Sequence, residues 1–477
     1  MRVVRTTALS LLVSACSVIF AQAQFTRKPS VVLDTIPEQI LASITSKLES
    51  ENAAIAIDKS KVRAFIKTIN KERADYIVKL FNDNWLLGDS ELNRHVTAIF
   101  QDILQSNPQL KKDASVYLYR SNSPNALSYG EGTILLSLSL LSRLENDAQV
   151  AFVLSHELAH YHLGHTKAAI EKFAQMNFDK EVKKEIRSIR NSQYNQYSRM
   201  KELMSGIEFT FNKHSRLHEF EADSLGLQLF LNSPYADNRA PIRTMELLDS
   251  VDYPVFDAAL DLKKHFDFKQ YPFKDLWLTY TKSNTWHAKK DISDTAQTHP
   301  GCLLRARKLE AQIANQSQAA RFDIRDFEEV KFQARLDLIE ANYHFEHYGK
   351  ALYEAIHMGQ VYPDNIYLHA IIAKCFYQLY VSQKNHELAK VLDLPDARFP
   401  ENYDRFLTFL HTLRLGDLER IAYYYVTAQD EEFFKDEEFL HALWLCSQLP
   451  VSNLSTSSVE EDYRRLFPEG KYVLRMK

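Results

Sequence analysis

His156-Glu157-Leu158-Ala159-His160 places two imidazoles four residues apart, with a carboxylate beside the first. On a helix this spacing puts both rings on one face, where they can share one metal ion. Zinc suits such donors, and Glu157 then stands where it can take a proton from a water activated by the metal. A hydrolytic zinc site also needs a third protein ligand and one open position, so a further donor must come from elsewhere in the chain.

Cysteine does not supply that donor. The four cysteines, at 16, 302, 375 and 446, include no CxxC pair and imply no disulfide framework. The metzincin arrangement, HExxHxxGxxH, has its third histidine six residues after the second. Here Gly164 and His165 fall one place off that pattern and Thr166 occupies the ligand position, which disfavours that class. His162 and His165 therefore read as surface histidines or as supports for a ligand. Glu219-Phe220-Glu221-Ala222-Asp223 is the better source, because Glu219 and Asp223 are four apart and share a helical face. Glu219 can ligate while Asp223 orients a ligand histidine, as carboxylates commonly do. Glu221 points elsewhere and reads as a surface residue.

The elements that must carry these residues are mostly helices. Apolar residues recur at helical spacing between Pro37 and about Gln109, as at Val62, Phe65, Ile66 and Ile69. Val116 to Tyr119 and Gly132 to Leu138 are short β-branched or aromatic runs that predict a small sheet or hairpin. Asn146, Asp147 and Gln149 form a capping-box-like start for a helix that runs through His160. Residues 167–213 are polar with a thin apolar stripe at Val182, Ile186 and Ile189. They read as an exposed helical excursion, either a solvated connector or a lid. Helical packing resumes over 215–230, whereas the aromatic-rich stretch 237–289 carries no assignable period. Beyond about Phe322 the chain reads as paired helices. Tyr348-Gly349-Lys350-Ala351 with Ala355 and Pro363-Asp364-Asn365 resembles half of a tetratricopeptide repeat, with degenerate copies around Ile372-Ala373 and Leu415-Gly416-Asp417. A plain helical bundle is the alternative.

A chain of 477 residues suits two folded units, and only 11 Gly and 14 Pro favour a helix-rich fold. A formal charge of −4 gives no reason to expect a nucleic-acid partner. Arg2 and Arg5, the apolar stretch Thr7 to Phe20 and Ala21-Gln22-Ala23 read as a signal peptide cleaved before Gln24. Val13-Ser14-Ala15-Cys16 also resembles a lipobox, which would leave a lipid-anchored Cys16, although Val18, Ile19 and Phe20 argue against it. No later segment has the length of a membrane span, so the expected mature chain has no transmembrane helix.

The combination resembles the HtpX-like and CaaX-prenyl-protease-like gluzincin peptidases, in which HExxH is followed by an ExxxD helix. Asn125-Ala126 with Gly130 and Gly132, then Leu140-Leu141 and Glu145-Asn146-Asp147, is similar to that family's approach to the zinc helix. Thr298-His299-Pro300 followed by Arg305 is similar to its THP-containing segment, and the resemblance covers about residues 36–314. It implies one zinc per chain held by His156, His160 and Glu219, Glu157 as general base, and polypeptide substrates. It also implies that a strand within Ser128 to Ser137 pairs with an extended substrate. His299 and Arg305 are candidates to stabilise the oxyanion or gate the site, or else form a structural turn.

With a helical-repeat region behind the catalytic one, the layout resembles BepA-type periplasmic proteases. The expected fold is mainly α with a small β-sheet. It comprises a leader over 1–23, a zincin-type metallopeptidase domain over 24–320 and a tetratricopeptide-like domain over 321–477. The expected function is zinc-dependent endoproteolysis of unfolded or misassembled envelope proteins in the periplasm, with envelope partners bound through the repeats. The competing reading is an envelope chaperone or assembly factor acting through those repeats over a latent zinc site. Hydrolysis of a small ester or amide is a third.

Overall fold

The computed structural model describes residues 27–30, 36–110, 113–180, 184, 188, 216–249, 259–279, 301–314, 327–396 and 399–476. The chain divides into two compact units, one of 30–252 with 290–334, the other of 1–29 with 253–289 and 335–477. Both are dominated by helix, and three strands form the one sheet found among the described residues. None of the described helices is long and apolar enough to cross a membrane.

The first unit opens with three helices, α1 (Glu38–Ala53), α2 (Ser60–Asn82) and α3 (Glu91–Ser106). Each buries one stripe. In α2 it is Val62, Ile66, Ala74, Ile77 and Phe81, spaced by three, four or eight residues. The Ser90 side chain caps α3 by accepting from the Asn93 N–H.

Strands β1 (Ser115–Tyr119), β2 (Ala126–Ser128) and β3 (Thr133–Ser137) follow, ordered β1-β3-β2. β3 runs parallel to β1, with Ser115 opposite Thr133, and antiparallel to β2, with Ala126 opposite Leu136. The β2–β3 turn passes through Gly130 and Gly132 at φ of 103° and 95°, a region few other residues tolerate. β3 is buried throughout, which accounts for its apolar centre Ile-Leu-Leu. Being central, it has both edges paired. Within the range 128–137 expected to hold a substrate-pairing strand, β3 therefore has no open edge, and the outer strand on that side is β2, which holds Ser128.

Helix α4 (Asp147–Leu163) carries the HExxH residues. Asn146 caps it by accepting from the Gln149 N–H, and the Gln149 side chain accepts in turn from the Glu145 N–H. It is buried on nearly every side because it packs against α3, β2, β3 and the later helix α7. Gly164, at φ 70°, ends α4 in a left-handed cap, and α5 (His165–Asn177) starts at once. α5 covers the start of the polar excursion, yet Ala174 and Ile170 pack on Val62 and Ile66 of α2. That part is therefore docked, and most of 181–213 lies outside the described residues.

Residues 216–232 form helix α6, followed by α7 (Ala240–Asp249) and α8 (Cys302–Ile313), which pack on each other. α6 crosses α4 antiparallel, since Phe152 meets Phe230 edge-on at 5.8 Å and further along His160 meets Glu219. A Cβ on Gly226 would lie 2.9 Å from the Cα of His156, so the two backbones approach as closely as a glycine allows.

In the second unit, α10 (Tyr348–Val361), α11 (Ile366–Lys384), α12 (Glu401–Thr412), α13 (Leu415–Thr427), α14 (Glu437–Ser447) and α15 (Thr456–Leu466) follow the end of α9 (Phe327–His344). α11 is the hub, packed by α10, α13 and α14. The unassigned aromatic stretch falls partly here. Phe266 meets Phe376 and Phe409, and Phe273 meets Trp277, anchoring a segment with almost no regular structure. Cys302, Cys375 and Cys446 are buried thiols, with no disulfide among the described residues.

Candidate metal centre

The antiparallel crossing of α4 and α6 brings His156, His160 and Glu219 together as a group able to hold a metal ion. His156 Nε2 lies 3.1 Å from His160 Nε2, His160 Nε2 lies 3.4 Å from Glu219 Oε1, and His156 Nε2 lies 3.6 Å from Glu219 Oε2. Ligands about 2.05 Å from a tetrahedral zinc stand roughly 3.3 Å apart, so the three edges match that ion. Two imidazole nitrogens and a carboxylate facing one point are also electron-pair donors that need a cation between them. The residues present fit zinc.

The surroundings hold this triangle. His156 Nδ1 lies 3.1 Å from Asp223 Oδ1, the partner that the spacing of Glu219 and Asp223 anticipates. Arg305, on α8 and 2% exposed, is bidentate to Asp223, from Nε at 2.7 Å and Nη2 at 2.6 Å. Its Nη1 lies 2.8 Å from Glu219 Oε2. Burial works against ionisation of Asp223, and the bonds from Arg305 and His156 overcome it, holding its carboxyl below the ordinary range. Burial likewise pulls His156 down, but Asp223 and Glu219 outweigh it and raise the imidazole to about 9. The pocket therefore favours positive charge at that ring. Glu157 is 3% exposed, one residue from His156 and three from His160. His299 lies outside the described residues.

A second layer lies behind these residues, and it includes His165, which the sequence left open between a surface histidine and a support for a ligand. His165 is buried: its Nδ1 lies 2.9 Å from His160 Nδ1 and its Nε2 lies 3.1 Å from Glu221 Oε2. His218 lies flat on it, ring centroids 4.1 Å apart and planes 10° apart. Burial first, then His160 and His218, lower His165 to about 4 against the pull of Glu221, so its ring is neutral at pH 7. The Glu221 side chain is 61% exposed, as a surface residue should be, yet its carboxylate reaches inward. Gly226 was missed in the sequence. Its signal was a lone glycine seven residues after Glu219, on the same helical face.

Residues 90–313 match Peptidase family M48, and the chain carries an M48 metallopeptidase domain there. The match spans α3, the sheet, the α4–α6 crossing and α8, which together build the centre. The chain is 23% identical over 181 residues to the beta-barrel assembly-enhancing protease of Escherichia coli O157:H7, and that stretch is 37% of each chain. The proteins of the same name from Escherichia coli K12 and Shigella flexneri are 20% identical over 181 residues, again 37% of each chain. Barely more than a third of those relatives' length is thus matched.

Proposed function

We propose that this protein is a zinc-dependent endopeptidase acting on exposed or misassembled segments of envelope proteins. The observation that carries the reading is the triangle of His156 Nε2, His160 Nε2 and Glu219, with edges of 3.1, 3.4 and 3.6 Å, beside the buried Glu157. Zinc held by these three residues supplies Lewis-acid activation of a water molecule and of the peptide carbonyl. Glu157 takes a proton from the attacking water as its oxygen adds to the carbonyl carbon. As the C–N bond breaks, Glu157 passes that proton to the leaving amine. Asp223 keeps His156 in the tautomer whose Nε2 can ligate, and Arg305 ties Asp223 and Glu219 together. This fully buried clamp gives Arg305 a positioning role in place of an oxyanion contact. An extended substrate would add to the outer edge of β2, Ala126–Ser128.

The basic, apolar and small-residue leader of residues 1–23 supports export to the periplasm, and the relatives' name supports envelope substrates. The paired helices of the second unit, read as tetratricopeptide-like, would hold clients. A cavity of about 360 Å³ lined by Tyr343, Tyr348, Tyr472 and Arg475 supports such binding, and it is the observation behind a second reading as an assembly factor. Casein cleavage by the full chain, abolished by a chelator and restored by stoichiometric zinc, is the expected result. Cleavage that survives complete zinc removal would refute the reading.

A further inference from the structure

A histidine that ligates through Nε2 must have its Nδ1 fixed by something else, or the ring is free to turn and to hold its proton on the wrong nitrogen. For His156 that partner is Asp223. For His160 no carboxylate lies against Nδ1 among the described residues. Instead His165 Nδ1 lies 2.9 Å from it, and two ring nitrogens at that distance share one proton.

The chain of contacts decides where that proton sits. His165 Nε2 is 3.1 Å from Glu221 Oε2, and an ionised carboxylate only accepts. His165 therefore carries its proton on Nε2 and donates it to Glu221, which leaves its Nδ1 bare. That bare nitrogen accepts the Nδ1–H of His160, so the Nε2 of His160 is bare and faces His156 and Glu219. We propose that His165 and Glu221 are positioning residues for the ligand His160, a two-bond relay matching the one-bond arrangement of Asp223 with His156. This inference rests on the zinc reading above.

The backbone is built for the relay. Gly164, left-handed at φ 70° and ψ 28°, turns the chain immediately after α4, which brings the first residue of α5 back against His160. His218 lies flat on His165 and fixes its plane. Glu221 is two residues from Glu219 on α6, so one helix supplies both the ligand and the outer end of the relay. His165, His218 and Glu221 also have donor atoms within 4.8 Å of one another. But parallel stacked rings aim their lone pairs along parallel planes instead of at one point, and both nitrogens of His165 are engaged.

The test uses the full chain and three variants. His165→Phe keeps the ring packing and removes both bonds, His165→Gln restores an acceptor for His160, and Glu221→Ala removes the outer acceptor. Zinc affinity is read by competition with a chromophoric chelator, and ligand geometry from the visible spectrum of the cobalt-substituted protein. We expect His165→Phe to weaken zinc binding on the order of 10- to 100-fold and to shift the cobalt bands. His165→Gln should recover most of the affinity, and Glu221→Ala should fall between. Affinity within twofold of wild type and unmoved cobalt bands in His165→Phe would overturn the inference while leaving the zinc site standing. If His165→Phe does not fold, the same readouts on Glu221→Ala, at a largely exposed position, decide. A second equivalent of zinc in the wild type that His165→Phe loses would overturn it in favour of a second metal site. A wild type that binds no zinc removes the metal reading and this inference together.

Discussion

Gly226→Ala isolates the helix crossing from the ligands themselves. The added methyl would stand 2.9 Å from His156 Cα, 3.1 Å from His156 N and 3.3 Å from the Ser155 carbonyl carbon. Carbon atoms pack at about 3.5–4.0 Å, so α6 must retreat from α4 by on the order of 0.5–1 Å. These are backbone atoms of a helix buried nearly all round, so the strain cannot be relieved by turning a side chain. Such overpacking costs roughly 1–3 kcal/mol, while alanine regains about 1 kcal/mol of helix propensity over glycine. The metal-free fold should therefore lose only about 0–2 kcal/mol. Glu219 sits two turns away on the moving helix and the histidines on the fixed one, so the Glu219 edges of 3.4 and 3.6 Å open. Zinc affinity should fall on the order of 10- to 100-fold, more than the stability of the metal-free protein. Chelator competition and denaturant unfolding with and without zinc separate the two effects. Unchanged zinc affinity with a gain of about 1 kcal/mol in stability would refute the crossing as described, because propensity alone would then be at work.

Replacing Arg305 by Met should destabilise the first unit by about 3–5 kcal/mol in urea unfolding, because Asp223 and Glu219 are left as buried charges without their cation. Asn146→Ala removes the cap of the zinc helix and should cost about 0.5–2 kcal/mol in the same assay. The second unit should weaken in acid. Burial, then His265, lowers His357 to about 4, and burial, then Lys374, lowers His441 to about 2, so both are neutral when folded. Unfolding returns each to about 6.5, where it binds a proton the native state does not. The stability they permit is therefore full above about pH 6.5 and lost at about 1.4 kcal/mol per pH unit per histidine as pH falls. Burial opposes ionisation of Glu438, but Lys374 and Lys471 hold it below the ordinary range, so its contribution is lost further down, below about pH 4.3. Thermal unfolding of the second unit at pH 7.5 and 5 checks the direction, and equal midpoints would contradict it.

What the sequence made legible was whatever depends on the period of one helix. His156, Glu157 and His160 are fixed by a five-residue spacing, and Glu219 and Asp223 by another, so local geometry alone placed them on the right faces. The start of α4 was readable because Asn146 and Gln149 act within one turn. The pairing of His165 with Glu221 was not, because it depends on a left-handed turn at Gly164 and on a second helix returning antiparallel. Gly226 reads as a lone helix glycine until the backbone it touches is known. The range 128–137 could not be narrowed to the outer strand from sequence, because a short apolar strand looks the same whether central or at an edge. Residues 262–278 resisted assignment because Phe266, Phe273 and Trp277 are anchors without a period, held by helices more than a hundred residues away.

The most direct test of the central claim is casein cleavage by the wild type and Glu157→Gln, with bound zinc measured on the same samples. The account predicts about one zinc per chain in both and cleavage in the wild type alone, the variant slower by at least about 100-fold. Comparable cleavage by Glu157→Gln with zinc retained, or a wild type without zinc, would contradict it.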